Sequence, residues 1–256
     1  MIIGCDFGIT NTDVALKRSD GSVKFFSFAS NQIDGDISTI IDLLGNQINA
    51  ATIEKIYVTG GKSSDLPKKF LKKEVLHVNE IFAIGNGARK IYQFQDNALI
   101  VSTGSGTTCV TYKDSDYALL GGISMGGGTL DGMSSLILDS ISPTDLDNLA
   151  NNGDLKKTDL KIGDVVNQIG NLSNDVTAVN LGKFKRGENF SDGDIAVAIC
   201  NMIGEVIGTV AYLNAFLLGT SEVYFVGRTS LLSLSLIHIS EPTRPLYISY
   251  AVFCLK

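Results

Sequence analysis

At 256 residues the chain is long enough for one large domain or two of ordinary size, and 44% hydrophobic against 19% charged residues sets it apart from disordered chains. Lys+Arg 21 against Asp+Glu 27 gives a net charge of −6, which removes the basic footprint of a general nucleic-acid binder and leaves phosphate groups needing specific cradles. Four scattered cysteines, Cys5, Cys109, Cys200 and Cys254, signal neither a zinc site nor a disulfide framework and suit a reducing, cytoplasmic setting.

The opening Met1-Ile2-Ile3-Gly4 lacks the basic and long apolar regions of a secretory signal. Alternating and β-branched runs predict strands over residues 2–5, 13–17 and 23–28, with Asp20-Gly21 as the second hairpin turn. Ile37, Ile40, Ile41, Leu44 and Ile48 stand at helical spacing, so a helix is expected over 37–48. A strand over 56–59 ends at Gly60-Gly61, and a helix is expected over 81–92.

At Ala98 the pattern restarts, with strands over 98–102, 108–112 and 117–120 around a glycine-rich turn. A shift of 96 positions pairs Gly8 with Gly104, Thr12 with Thr108, Val14 with Val110 and Lys17 with Lys113. That repetition reads as two related halves, 1–96 and 97–233.

Residues 195–218 are nearly all apolar and long enough to span a bilayer. Glu205 in mid-span and the absence of a basic flank instead favour a helix buried in a protein core. Residues 234–256 resemble the in-frame translation of a sequencing-library adapter, so they are expected to be foreign to the fold and His238 and Cys254 to have no functional role. The native second half is therefore expected to be truncated near Ser233, leaving apolar surface uncovered and this chain poorly stable or inactive.

Chemistry concentrates in three glycine-rich segments. In Asp6-Phe7-Gly8-Ile9-Thr10-Asn11-Thr12, glycine allows close backbone approach, Thr and Asn offer donors to anionic oxygens, and Asp6 ends an apolar strand where it could hold Mg²⁺. A plain hairpin turn with an Asx cap fits the same residues. Ser102-Thr103-Gly104-Ser105-Gly106-Thr107-Thr108 repeats the composition, which makes two phosphate cradles the economical reading. Neither turn is a Walker A loop or a Rossmann fingerprint. Gly121-Gly122-Ile123-Ser124-Met125-Gly126-Gly127-Gly128 runs into a helical pattern near Leu130, where helix N-terminal amides suit an anion.

At these residues the chain resembles the type II pantothenate kinases of the actin and hexokinase superfamily. The first turn resembles the family's D-x-G-x-T phosphate motif at Asp6, Gly8 and Thr10. Residues 102–107 resemble its G-T-G-T motif, and residues 121–128 its G-G-x-x-x-G-G-G segment. Gly153-Asp154, Asp159-Leu160, Thr177-Ala178-x-Asn180 and Gly204-Glu205-Val206 follow in family order.

The resemblance implies an α/β fold of two ribonuclease-H-like halves around a nucleotide cleft. It also implies ATP and Mg²⁺ as cofactors, Glu80 as the catalytic base, a homodimer, and pantothenate converted to 4′-phosphopantothenate on the way to coenzyme A. Residues 6, 8, 10–12, 103–107 and 126–128 would bind the nucleotide. No nucleic-acid or membrane partner is expected. Read from the residues alone, Glu80 stands at the head of an apolar helix, where a first-turn carboxylate also suits the helix dipole.

The chain departs from the family at Asp13, where a lysine is usual, and at Leu119, where a basic residue is common; Lys62 and Arg228 are candidate substitutes. A kinase of another small hydroxylated metabolite, an activator-type ATPase or a nucleotide-binding regulator remain alternatives.

Overall fold

The computed structural model describes residues 1–33, 36–138, 142–166, 173–185 and 189–232, and the adapter-like tail lies outside them. The chain folds as two compact units, Met1–Gly87 and a second beginning at Ala88.

In the first unit, β1 (Ile2–Phe7), β2 (Asn11–Lys17) and β3 (Val23–Ala29) form an antiparallel meander. Period-2 alternation buries Ile3, Cys5 and Phe7 from β1 and Val14 and Leu16 from β2. After α1 (Ser30–Ile33) and α2 (Ile37–Leu44) comes β4 (Lys55–Thr59), parallel to β1, so that Asp6 stands beside Thr59. The helix expected over 37–48 stops early because Gly45 takes φ +47 and gives its N–H back to Ile41 and Asp42. β5 (Lys69–Phe70) and β6 (Lys73–His77) were not legible in the sequence. They are short, each opens on a lysine, and they join at Leu71-Lys72, both at positive φ without the usual glycine or asparagine signal. α3 (Glu80–Tyr92) follows and carries the division between the units within its length. The sheet order is β3-β2-β1-β4-β6-β5.

The second unit repeats that meander in β7 (Ala98–Thr103), β8 (Thr107–Lys113) and β9 (Asp116–Ile123), followed by α4 (Gly127–Ile137) and α5 (Pro143–Ala150). A small layer comprises α6 (Leu155–Thr158), β10 (Leu160–Lys161), α7 (Ile162–Val165) and β11 (Thr177–Val179). Then α8 (Asp192–Leu218) leads to β12 (Val223–Val226), which pairs parallel to β7. The order β12-β7-β8-β9 reproduces β4-β1-β2-β3 of the first unit. Four residues separate the paired Phe7 and Thr12, and three separate Thr103 and Thr107, so the second turn is one residue shorter.

α8 is the apolar segment that composition alone could place in a bilayer. Its Ala196, Ile199, Cys200, Ile203, Ile207, Ala211 and Ala215 are buried in one core with Leu99, Val101 and Cys109 of the sheet. Each fully buried isoleucine contributes roughly 1.5–3 kcal/mol, so this packing supplies the driving force for placing α8 in the core. The mid-helix Glu205 accepts hydrogen bonds from Asn180 Nδ2 at 3.0 Å and Asn201 Nδ2 at 3.4 Å. Beside it Asp159, fully buried, accepts from Leu181 N at 2.8 Å and Asn201 Nδ2 at 2.9 Å. These bonds tie the middle of α8 to the small layer and satisfy polar groups that would otherwise be costly to bury.

The start of α8 is fixed by a reciprocal cap. Ser191 Oγ accepts from Asp194 N at 3.1 Å, while Ser191 N donates to Asp194 Oδ2 at 3.1 Å. Asp194 also accepts from Asp154 N at 2.9 Å and pairs with Lys157 Nζ at 3.2 Å. These donors, the Asp154 amide foremost, hold the Asp194 carboxyl at about 2, below its ordinary 3.8. A carboxylate depressed in the folded state stabilises the fold above its unfolded pKa and loses that contribution as pH falls through the folded value. Thermal scans across pH are therefore expected to show about 2 kcal/mol of stability disappearing between about pH 4 and pH 2. The Asp194→Asn variant should lack that portion of the decline.

Candidate functional site

In each unit the polar-glycine turn lies at the carboxyl end of a parallel strand pair, β1/β4 in the first and β7/β12 in the second. Open α/β sheets bind ligands at such edges.

The first turn runs from Gly8 to Asn11. Ser30, at the head of α1 and 5% exposed, donates from Oγ to Gly8 O at 2.8 Å, and its N–H donates to Thr10 O at 2.9 Å. Among the described residues every peptide bond is trans, so each carbonyl opposes the N–H that follows it. Drawing the Gly8 and Thr10 carbonyls toward Ser30 therefore directs the Ile9 and Asn11 N–H groups to the opposite side. Gly8 has to be glycine, because a Cβ there would lie 2.6 Å from Asn11 O. Asp6, exposed, is the penultimate residue of β1, one strand from the Gly60 corner. Gly60 has φ +90, and a Cβ there would lie 2.5 Å from Asp6 Oδ1 and 2.6 Å from Phe7 O.

The second turn, Gly104 to Gly106, is held from behind by the start of α4. Gly127 N donates to Gly104 O at 2.8 Å, Gly128 N to Ser105 O at 3.0 Å, and Gly104 N to Gly106 O at 2.9 Å. Thr229 Oγ1, in the loop after β12, adds a second bond to Gly104 O at 2.9 Å. By the same trans-peptide geometry, the N–H groups of Ser105 and Gly106 point away from α4, an arrangement suited to anionic oxygens. The contact requires bare backbone: a Cβ on Gly126 would fall 2.7 Å from Gly104 O and 2.9 Å from both Ser105 O and Gly106 O.

Glu80 is exposed in the first turn of α3, whose N-terminus is capped by Asn79 Oδ1 accepting from Ile81 N at 2.9 Å. Val78 N donates to Val58 O at 2.8 Å, which keeps the β6–α3 junction beside the end of β4. Asp6, the first turn, Gly60 and Glu80 thus share one sheet edge in the first unit.

Several residues expected to touch a nucleotide have other work. Thr12 is buried with its Oγ1 3.2 Å from Ser30 Oγ, Thr103 Oγ1 donates to Val226 O at 3.1 Å, and Thr107 Oγ1 donates to Met125 O at 2.8 Å. The amides of Gly127 and Gly128 are taken by the second turn, and Gly126 N donates to Thr129 Oγ1 at 3.2 Å. The three glycines thus serve close packing, and the helix end is answered by two carbonyls of the second turn and the Thr129 hydroxyl.

Asp13 faces Asp6 across the first hairpin, and Leu119 is exposed on β9 opposite Val110. Lys62 is exposed, and Arg228 lies exposed in the loop after β12. Ser30 and Thr229, which hold the two turns, escaped the sequence reading; lone hydroxyls far along the chain from their partners leave no local pattern.

The Fumble family matches residues 9–233 of this chain. The type II pantothenate kinase of Bacillus thuringiensis subsp. konkukian (strain 97-27) is 30% identical over 234 residues, covering 89% of this chain and 82% of its own length. Among solved structures, the activator of the 2-hydroxyisocaproyl-CoA dehydratase from Clostridium difficile with bound ADPNP superposes with a TM-score of 0.65 at 14% identity, covering 96% of this chain and 87% of its own. A ROK family glucokinase from Streptomyces griseus in complex with glucose and AMPPNP gives 0.60 at 12% identity, covering 93% and 86%. The chain thus shares its α/β fold with these two proteins.

The turn-to-helix contact can be tested by stability alone. Gly126→Ala is expected to cost about 3 kcal/mol and lower the melting temperature by roughly 5–10 °C, because backbone carbonyls must move. Gly132→Ala, in the same helix but with open space around it, should instead raise stability by about 0.5–1 kcal/mol.

Proposed function

Because this chain belongs to the Fumble family and is a kinase of the pantothenate kinase type, we propose that it transfers the γ-phosphoryl group of ATP to the primary hydroxyl of pantothenate. The product would be 4′-phosphopantothenate, an intermediate on the way to coenzyme A. The observation that carries the nucleotide part is the second turn, whose carbonyls are drawn into α4 so that successive N–H groups are presented on the other side. Fixed amide dipoles of this kind bind phosphate oxygens without reorganising, which is what phosphoryl transfer requires of a protein.

In this reading the Ser105 and Gly106 amides suit phosphate oxygens, and the first turn, within its own unit, is a cradle of the same kind. Glu80 accepts the proton of the substrate hydroxyl as its oxygen attacks the γ-phosphorus in line. Its place at a capped helix start fixes the side chain's origin on a rigid element. Asp6 suits a magnesium ion, since it offers a hard carboxylate oxygen at an exposed strand end and the missing Gly60 side chain keeps the space beside Oδ1 open. Magnesium bound with ATP would offset phosphate charge.

A homodimer and a cytoplasmic setting belong to the same proposal. Leu213, Phe216 and Leu217 are exposed near the end of α8, a surface that a second copy would cover, and Cys5, Cys109 and Cys200 are buried free thiols.

The test is ADP formation with ATP and Mg²⁺, with and without pantothenate. Pantothenate-dependent turnover that falls by about 10²–10⁴ in Glu80→Gln would establish the reaction and the base. ADP release indifferent to pantothenate would point to another acceptor.

A further inference from the structure

Ser30 makes two contacts with the first turn and one with Thr12 of β2, although it lies more than twenty residues from Gly8 in sequence and carries no motif. Its Oγ donates to Gly8 O at 2.8 Å, its N–H donates to Thr10 O at 2.9 Å, and Thr12 Oγ1 lies 3.2 Å from the same Oγ. A serine hydroxyl has one proton, and a carbonyl can only accept. With that proton given to Gly8 O, the Thr12 hydroxyl must be the donor to Ser30. The result is a directed relay, from Thr12 Oγ1 to Ser30 Oγ to Gly8 O, shielded from water because Thr12 and Ser30 are 1% and 5% exposed. In such surroundings a hydrogen bond is stronger than at the surface, and a lost partner leaves a buried group unsatisfied.

We propose that Ser30 is a positioning residue for phosphate binding, fixing the Gly8 and Thr10 carbonyls so that the Ile9 and Asn11 N–H groups are oriented for the oxygens of the nucleotide. This rests on the reading of the first turn as a nucleotide cradle. Ser30 has no contact with substrate in this scheme and acts only through the orientation of two peptide planes. Freed from Ser30, the Gly8 plane is the one able to turn, since Gly8 itself carries no Cβ to resist rotation. Thr12, buried against Ser30, acts through it rather than on the ligand.

The experiment compares the unaltered chain with Ser30→Ala, Ser30→Thr and Thr12→Val. Affinity for a non-hydrolysable ATP analogue with Mg²⁺ is measured by calorimetric titration, beside the KM for pantothenate and the melting temperature. Ser30→Ala is expected to weaken nucleotide binding about tenfold with the KM for pantothenate within twofold of the original. Ser30→Thr, which keeps the hydroxyl, should restore affinity, and Thr12→Val should fall between. Equal analogue affinity in Ser30→Ala would overturn the positioning role while leaving the nucleotide reading intact. Loss of affinity in Ser30→Thr as large as in Ala, or a parallel rise in the KM for pantothenate, would reduce Ser30 to a packing residue. Failure of the unaltered chain to bind the analogue would overturn the nucleotide reading, and this inference with it.

Discussion

The second unit depends on a mutual satisfaction of backbone groups. A helix begins with N–H groups that have no acceptor of their own, and a tight turn has carbonyls that its own strands do not use. Here the two deficits meet, with Gly127 N and Gly128 N on the Gly104 and Ser105 carbonyls. Hydrogen-bond distance between two main chains leaves no room for a side chain at Gly126, while a Cβ on Gly127 would meet Thr229 Oγ1 at 2.7 Å and one on Gly128 would press on Ser105 O at 3.1 Å. Thr229 brings the loop after β12 onto the same carbonyl, and Thr103 and Thr107 bond that strand and the segment before α4. The turn is bonded on its carbonyl side, and its amides are thereby committed to the other.

The first unit reaches a similar end by different means. Among the described residues the helix behind its turn is the four-residue α1, and the Ser30 side chain does what the α4 amides do in the second unit. The repeated strand order makes the two solutions comparable element by element. The turn that is one residue longer leans on a side chain, and the shorter one on a helix end. Both devices spend protein donors on carbonyls, so that fixed dipoles face outward where charge is to be bound.

α8 shows how tertiary context decides the meaning of an apolar run. Its length and composition satisfy a membrane span, yet its face is matched to the sheet of the second unit, and its mid-helix carboxylate has partners in Asn180 and Asn201. A lipid environment offers Glu205 none of these. The same network holds the fully buried Asp159, so the small layer and the long helix are joined by polar bonds at one place and by apolar packing elsewhere.

The sequence by itself determined much of the scaffold. Alternation located β1 to β4 and β7 to β9, helical spacing located α2 and α3, and the glycine clusters marked both turns and the start of α4. These features are local, written in periods of two or 3.6 residues or in the one residue that permits close approach. β5 and β6 escaped because strands of two and five residues, joined without a glycine or asparagine turn, have too little alternation to register, and α2 ended early on the backbone conformation of one glycine. What only the tertiary structure decided is the direction of each polar group. Thr12, Thr103 and Thr107 look like ligand donors in sequence and prove to be turned inward, while Ser30 and Thr229 look like ordinary loop residues and prove to hold the turns. A hydrogen bond depends on which way a carbonyl or hydroxyl points, and that is fixed by elements brought together from distant parts of the chain.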